Sequence, residues 1–221
     1  MSMTQHIIIA DDHPLFRAAL RQAVSQAVPQ AQVTEVDSIA TLQSAVEQHP
    51  DADLVLLDLN MPGAHGFSGL VFLRGQYPGL PVVIVSGSEE LPVVRKAIDY
   101  GASGFIPKSA PLEQISEAIQ AVLEGEVWLA PGVEERIAGL QGEESEFSRR
   151  LATLTPQQFR VLGMLTEGML NKQIAYELDV SEATVKAHIT ALFRKLGVRN
   201  RTQAVIAVQQ MEVDQQKDPL A

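Results

Sequence analysis

A chain of 221 residues suits two modest domains, each with its own core, better than one large one. It has no cysteine, no apolar run near the ~20 residues of a membrane span, and an N-terminal MSMTQHIIIADDH without a basic leader pattern, which excludes disulfide scaffolds and thiolate metal sites and leads us to expect a cytoplasmic, non-membrane protein. The net charge of −10 is unevenly held: residues 1–125 sum to −8, 126–150 to −3 and 151–221 to +1, and residues 183–211 carry Lys186, Arg194, Lys195, Arg199 and Arg201 with no acid, a basic face attached to an acidic module.

The first 125 residues alternate short apolar runs (HIIIA, QVTEV, DLVLL, PVVIV, SGFI) with amphipathic stretches, giving five strand–helix units. Runs as continuous as LVLL and VVIV suit a parallel sheet covered on both faces, and right-handed crossovers make it doubly wound. From Glu124 to Arg150 the pattern weakens through Gly125, Pro131, Gly132, Gly139, Gly142 and the acids Glu143, Glu144 and Glu146, which reads as a linker with one short helix around residues 132–140. Only helices follow. LTPQQFRVLGMLTEG opens with Thr155 as N-cap and Pro156 at the first helical position, and further helices are predicted near 171–178, 182–196 and 201–211.

In a doubly wound sheet, sites gather at the carboxyl ends of the strands. Asp11 and Asp12 follow the first strand and Asp58 ends the third, so three carboxylates are predicted to meet at one edge, an oxygen-only ligand set suited to Mg²⁺. Asp58 faces that ion as a carboxylate able to attack phosphorus and form an acyl phosphate. Ser86 closes the fourth strand and Lys108 lies just past the fifth, bringing a hydroxyl and a cation to the same edge to grip the added phosphoryl oxygens. Taken singly, each has an ordinary alternative: turn residue, helix cap or solvated side chain. Their order along the strands makes the combination specific.

The segments IIIADDHPLF, LVLLDLNMPG, VVIVSGS and GASGFIPK resemble the defining segments of bacterial response-regulator receiver domains over nearly all of residues 5–125. The resemblance implies a (βα)5 flavodoxin-like fold with Asp58 as phosphoacceptor, Asp11, Asp12 and the Asn60 backbone carbonyl joining Asp58 around Mg²⁺, Ser86 as switch hydroxyl and Lys108 as phosphate contact. Phe105 matches the switch aromatic, or is a core aromatic of the fifth strand. His13 is expected to be structural or helix-capping, and Pro107 departs from the family pattern immediately before Lys108.

NKQIAYELDVSEATVKAHITALFRKLGV holds a short helix, a turn at Asp179-Val180-Ser181 and a longer helix capped by Ser181, the spacing of a helix-turn-helix. Residues 151–210 resemble the DNA-binding domain of the NarL/FixJ family of two-component response regulators, the LuxR-type helix-turn-helix. That implies four helices in an all-α domain, with the third reading double-stranded DNA. By position Lys186, Ala187 and Thr190 match base-facing sites, while Thr184, His188, Lys195, Arg199 and Arg201 match backbone contacts; His188 packs against the domain in the alternative reading. The fourth helix, with Val205, Ile206 and Val208, is the implied DNA-bound homodimer contact.

The expected organisation is therefore a receiver at 5–125, a linker at 126–150 and a DNA-binding domain at 151–215. A sensor histidine kinase is the implied phosphodonor and RNA polymerase a further implied partner. Phosphorylation is expected to shift the receiver's helix-four-to-five surface and its contact with residues 151–221, releasing the recognition helix for a dimer on DNA. The chain is not expected to be an enzyme: haloacid-dehalogenase-like phosphatases also combine an aspartate nucleophile with Mg²⁺, but carry DxDx[TV] where this strand has Asp58 two residues before Asn60. A regulator whose receiver serves only for docking keeps the helix-turn-helix and differs on Asp58. Quorum-sensing relatives are set apart by the acidic pocket.

Overall fold

The computed structural model describes residues 4–140 and 146–211. Its N-terminal half is a parallel sheet in the order β2-β1-β3-β4-β5, from β1 (His6–Ala10), β2 (Gln32–Val36), β3 (Leu54–Asp58), β4 (Val82–Ser86) and β5 (Gly104–Pro107). Side chains alternate across a strand, and here both faces are covered. Ile7, Ile9, Leu54, Leu56, Val83 and Val85 bury against α1 (Pro14–Ala27) and α5 (Leu112–Leu123). Ile8, Val55, Leu57, Val82 and Ile84 bury on the other side, against α2 (Ile39–Gln48), α3 (Ser68–Gln76) and α4 (Leu91–Asp99). This double burial is why β1, β3 and β4 are apolar almost throughout, while edge strand β2 buries only Val36. Strand order reverses between β1 and β3, so the crevice at this switch point opens between Ala10 and Asp58.

The stretch read as a linker is more structured than its composition suggests. Trp128 pairs with β5, donating its N–H to Ser103 O (3.1 Å) and accepting from Phe105 N (3.1 Å). A Cβ at Gly104 would lie 2.9 Å from Trp128 O, so a glycine is what admits this approach. The helix expected around 132–140 is α6 (Val133–Ala138), which packs on α4 and buries Ile137. A second helix, α7 (Glu146–Leu151), arises where the acids and glycines read as loop; Glu143 and Glu144 lie outside the described residues.

The C-terminal helices are α8 (Pro156–Thr166), α9 (Asn171–Glu177), α10 (Glu182–Leu196) and α11 (Arg201–Gln209), and residues 212–215 of the expected domain lie outside the described residues. Thr155 caps α8 as expected: its hydroxyl accepts from Gln158 N (3.2 Å) while the Gln158 side chain accepts from Thr155 N (3.1 Å). Among the described residues no helix is long and apolar enough to cross a membrane.

The two halves are docked. Phe159 of α8 stacks on Phe72 of α3 with ring centroids 4.2 Å apart, Gln76 Nε2 donates to Leu154 O (2.7 Å), and Phe67 N donates to Met211 O (3.2 Å). A Cβ at Gly75 would lie 2.1 Å from Ala152 O, and one at Gly163 would lie 2.5 Å from Gly63 O. The seam thus falls on α3 and the β3–α3 loop. This corrects the expectation that the helix-four-to-five surface meets the DNA-binding half: α4 is covered by α6, and the aromatic pair and glycines that permit close packing sit elsewhere.

At the opposite end of the sheet from the crevice, His6 is buried, its Nε2 2.9 Å from Thr34 Oγ1 and its ring edge-on to His49 at 4.0 Å. Burial, then His49, push its pKa below the ordinary histidine value, against the raising effect of Asp51 and Asp53. The unfolded chain therefore holds this proton more tightly than the folded one, so stability present above pH ~6.5 is lost as the pH falls below it. A His6→Gln variant is expected to show a flatter decline of Tm between pH 7 and 5 than the parent; equal slopes would remove His6 from the acid response.

Candidate functional site

Asp11 and Asp58 are both almost fully buried at the carboxyl ends of β1 and β3, an arrangement without benefit to the fold unless the charges are paired. Lys108, just past β5, supplies the pairing: its Nζ lies 2.7 Å from Asp11 Oδ2 and 2.8 Å from Asp58 Oδ2. Pro107 ends β5 opposite Ser86, and Lys108 N donates to Ser86 O (2.7 Å), so the departure at Pro107 leaves Lys108 directed into the crevice. The Asp11 carboxylate also accepts from His13 N (2.8 Å), and Asn60 N donates to Asp58 Oδ1 (3.2 Å). Ser86 is buried at the end of β4, its Oγ accepting from Ser88 N (3.1 Å). Phe105, in β5, is 2 % exposed and packs in the α2–α4 layer.

Burial pushes the Asp58 carboxyl above the usual carboxylate range and the charge of Asp11 adds to this, while the Lys108 hydrogen bond and charge oppose it. Burial would lower the Lys108 pKa, but its hydrogen bonds and charge interactions with Asp11 and Asp58 leave it raised, so it stays an ammonium. Asp11, Asp12, His13 and Asp58 each place one ligand atom within 4.8 Å of the others. Three carboxylates against one ammonium leave an excess of negative charge, and hard oxygens at an open crevice fit a divalent cation such as Mg²⁺.

Three neighbours were not assigned this place by the sequence reading. The His13 side chain makes no cap hydrogen bond to α1; Nδ1 lies 2.7 Å from Asp12 Oδ1 and 3.8 Å from Asp58 Oδ2. Phe16 lies beneath Lys108, the ammonium 4.9 Å from its ring centroid, and Arg17 Nη1 donates to Asp11 O (2.7 Å). His13 is the N-cap of α1 and Phe16 and Arg17 lie in its first turn, so helical spacing after Asp12 was the available signal.

The second constellation is α9, a turn and α10. Asp179 takes a left-handed φ of 52°, reversing the chain, and Ser181 caps α10 by accepting from Thr184 N (3.1 Å). Val185, Leu192 and Leu196 face the core, while Lys186, Ala187 and Thr190 are exposed along the opposite side. Thr184 shares a hydrogen bond with Ser181, and His188 is half-buried. Arg199 is exposed. Lys195 and Arg201 are held by the domain's own carbonyls: exposed Lys195 donates from Nζ to Thr153 O (2.6 Å), and the half-buried Arg201 guanidinium donates to Met169 O (2.9 Å) and Leu165 O (2.8 Å).

Residues 7–120 match the family model described as the response regulator receiver domain, and residues 152–208 match that of the bacterial regulatory proteins of the luxR family. The chain belongs to the LuxR-type response regulators. This regulator is 47% identical over 206 residues to the glycerol metabolism activator of Pseudomonas putida, covering 91% of this chain and 93% of that one. It is 31% identical over 210 residues to the nitrate/nitrite response regulator protein NarL of Escherichia coli K12, covering 94% and 96%. Among solved structures, RcsB from Salmonella enterica serovar Typhimurium, bound to a promoter in the presence of the phosphomimetic BeF3-, shares the fold with a TM-score of 0.55 at 23% identity, over 94% of this regulator and 98% of that chain.

Proposed function

We propose that this chain is a cytoplasmic transcription regulator of a two-component system, in which phosphoryl transfer from a sensor histidine kinase to Asp58 controls the binding of a homodimer to double-stranded DNA. The observation that carries the reading is the buried Asp58 carboxylate, bracketed by Asp11 and Lys108 at the switch point of the sheet, on the same chain as a helix-turn-helix with an exposed outer face. The proposed limits are 5–125 for the receiver, 126–150 for the linker and 151–215 for the DNA-binding domain.

Asp11, Asp12, Asp58 and the Asn60 carbonyl are the residues that would hold Mg²⁺, which when bound offsets charge on the incoming phosphoryl group. An Asp58 oxygen attacks phosphorus; the new P–O bond forms as the P–N bond to the donor histidine breaks, and the imidazole leaves carrying the electron pair. The Lys108 ammonium, now on Asp58, moves onto a phosphoryl oxygen. Ser86 Oγ turns from its contact with Ser88 N to donate to another, and Phe105 follows into the space this opens. The β3–α3 loop, anchored at Asp58 and seated against Gly163 and Met211, shifts with them and loosens the domain seam.

Released, the C-terminal helices pair through α11, where Ile206 is 49% exposed while Val208, and Met211 just after the helix, are buried in the docked form. Lys186, Ala187 and Thr190 face bases, Thr184, His188 and Arg199 the phosphates, and Lys195 and Arg201 reach phosphates only by leaving their internal partners. The Salmonella neighbour, a complex with promoter DNA, supports DNA as the ligand, and RNA polymerase is the machinery such a complex would meet.

The test is intact mass after incubation with Mg²⁺ and acetyl phosphate, then hydroxylamine, with DNA binding measured on the same samples. One hydroxylamine-labile phosphoryl group, accompanied by tighter DNA binding, is expected. No addition from acetyl phosphate or from a phosphorylated histidine kinase would overturn the reading.

A further inference from the structure

In a helix-turn-helix the N-terminal half of the second helix meets the base edges, so what that helix can read is set by the groups it leaves uncommitted. On α10 the outward stripe is Ala183, Lys186, Ala187 and Thr190, which share one side at helical spacing and are all exposed. Ala183 and Ala187 offer only methyl groups. The Thr190 hydroxyl donates to Lys186 O (2.9 Å), so its hydrogen is committed within the helix and the side chain offers a methyl and an acceptor. Thr184, off this stripe and half-buried, shares a hydrogen bond with Ser181 Oγ (2.9 Å) in which either hydroxyl can donate. The Lys186 ammonium, without a partner among the described residues, is therefore the one uncommitted donor of the stripe.

We infer that each half-site of this regulator is read by a single hydrogen-bonded guanine together with thymine methyl groups, within about three consecutive base pairs of the major groove. The inference rests on the proposed function and deepens it by naming the DNA. Guanine alone presents two acceptors, N7 and O6, on the major-groove edge, the target of an ammonium, and the thymine 5-methyl is the only large apolar group there. Lys186 and Thr190 are four residues apart, ~6 Å along the helix, against a base-pair rise of ~3.4 Å, which confines their contacts to neighbouring pairs. A stripe with one donor and three methyl-bearing side chains contains no amide to recognise adenine by a bidentate pair.

The experiment uses the full chain, phosphorylated with acetyl phosphate and Mg²⁺, to enrich duplexes from a random pool, followed by atom-level changes in the enriched site. Replacing the contacted guanine by 7-deazaguanine is expected to weaken binding about tenfold, and Lys186→Ala to weaken it equally while abolishing the distinction between the two bases. Replacing the contacted thymine by uracil, which removes one methyl, is expected to cost about fourfold, with Ala187→Gly or Thr190→Ser erasing that difference. Enrichment of sites that tolerate both 7-deazaguanine and uracil, or a guanine preference that survives Lys186→Ala, would overturn the inference while leaving the regulator reading intact. A pool that enriches no sequence, with phosphorylation verified by mass, would overturn both.

Discussion

Alanine in place of Gly75 is expected to stabilise the receiver and to part the two domains. Gly75 is the penultimate residue of α3, where replacing glycine by alanine adds up to ~1 kcal/mol of helix stability. In the docked chain the new Cβ would lie 2.1 Å from Ala152 O and 2.8 Å from Ala152 Cα, and both obstacles are backbone, which cannot swing aside. Besides its shared apolar burial, the seam is held by one aromatic stack, worth ~0.5–1.5 kcal/mol, the Gln76 side-chain hydrogen bond to Leu154 O and the backbone bond from Phe67 N to Met211 O, and a 2.1 Å backbone overlap is expected to part it. Residues 1–125 carrying the substitution should melt ~4 °C above the unsubstituted receiver. In the full chain, proteolysis at the α7–α8 junction, where Leu154 is buried, should accelerate by roughly a factor of ten, as expected if the exposing equilibrium shifts by ~1.4 kcal/mol, and DNA should bind more tightly without phosphorylation. Unchanged proteolysis and elution volume in the full chain would show that the seam does not hold the domains.

That seam also explains which parts of the molecule the sequence could reveal. Strands β1, β3 and β4 are legible because burial on both faces leaves an apolar run no other explanation, β2 and β5 because they fall in the same strand–helix alternation, and the pocket residues because strand ends in a doubly wound sheet converge on one edge. The helix-turn-helix was legible from Thr155, Ser181 and the spacing of Val185, Leu192 and Leu196. The domain contact was not. Phe72 and Phe159 each read as ordinary core positions of their own helices, and a glycine that admits a neighbouring backbone, as Gly75 and Gly163 do, resembles any other glycine until its neighbour is known. For the same reason Lys195 and Arg201 counted as free cations: charge can be read from composition, but the carbonyls of Thr153, Met169 and Leu165 that hold them depend on how the helices cross. α7 escaped because its glutamates and glycine-rich approach carry no apolar periodicity, and its stability comes from packing on α3 and α10.

An Asp58→Asn substitution is expected to abolish acyl-phosphate formation completely and, at pH 7, to raise the melting temperature. The Asp58 carboxyl is pushed above its ordinary range chiefly by burial and in part by Asp11. A carboxyl raised by folding holds its proton more tightly in the folded chain than in the unfolded one, so its ionised form opposes folding at neutral pH, and the opposition fades as the pH falls through the folded pKa. The substituted amide removes that charge, keeps one oxygen to accept from either Asn60 N or Lys108 but not both, and leaves Lys108 paired with Asp11 at 2.7 Å. The gain in Tm over the parent should shrink steadily toward pH 4. Mg²⁺ should act in the opposite sense, raising the Tm of the parent more than that of the variant, since binding to the folded state stabilises in proportion to affinity and the variant has one carboxylate fewer to offer. A variant that melts lower than the parent at pH 7 would mean that the Lys108 contact outweighs burial and that Asp58 supports the fold it was expected to strain. A variant that still takes up a hydroxylamine-labile phosphoryl group would place the phosphoacceptor elsewhere.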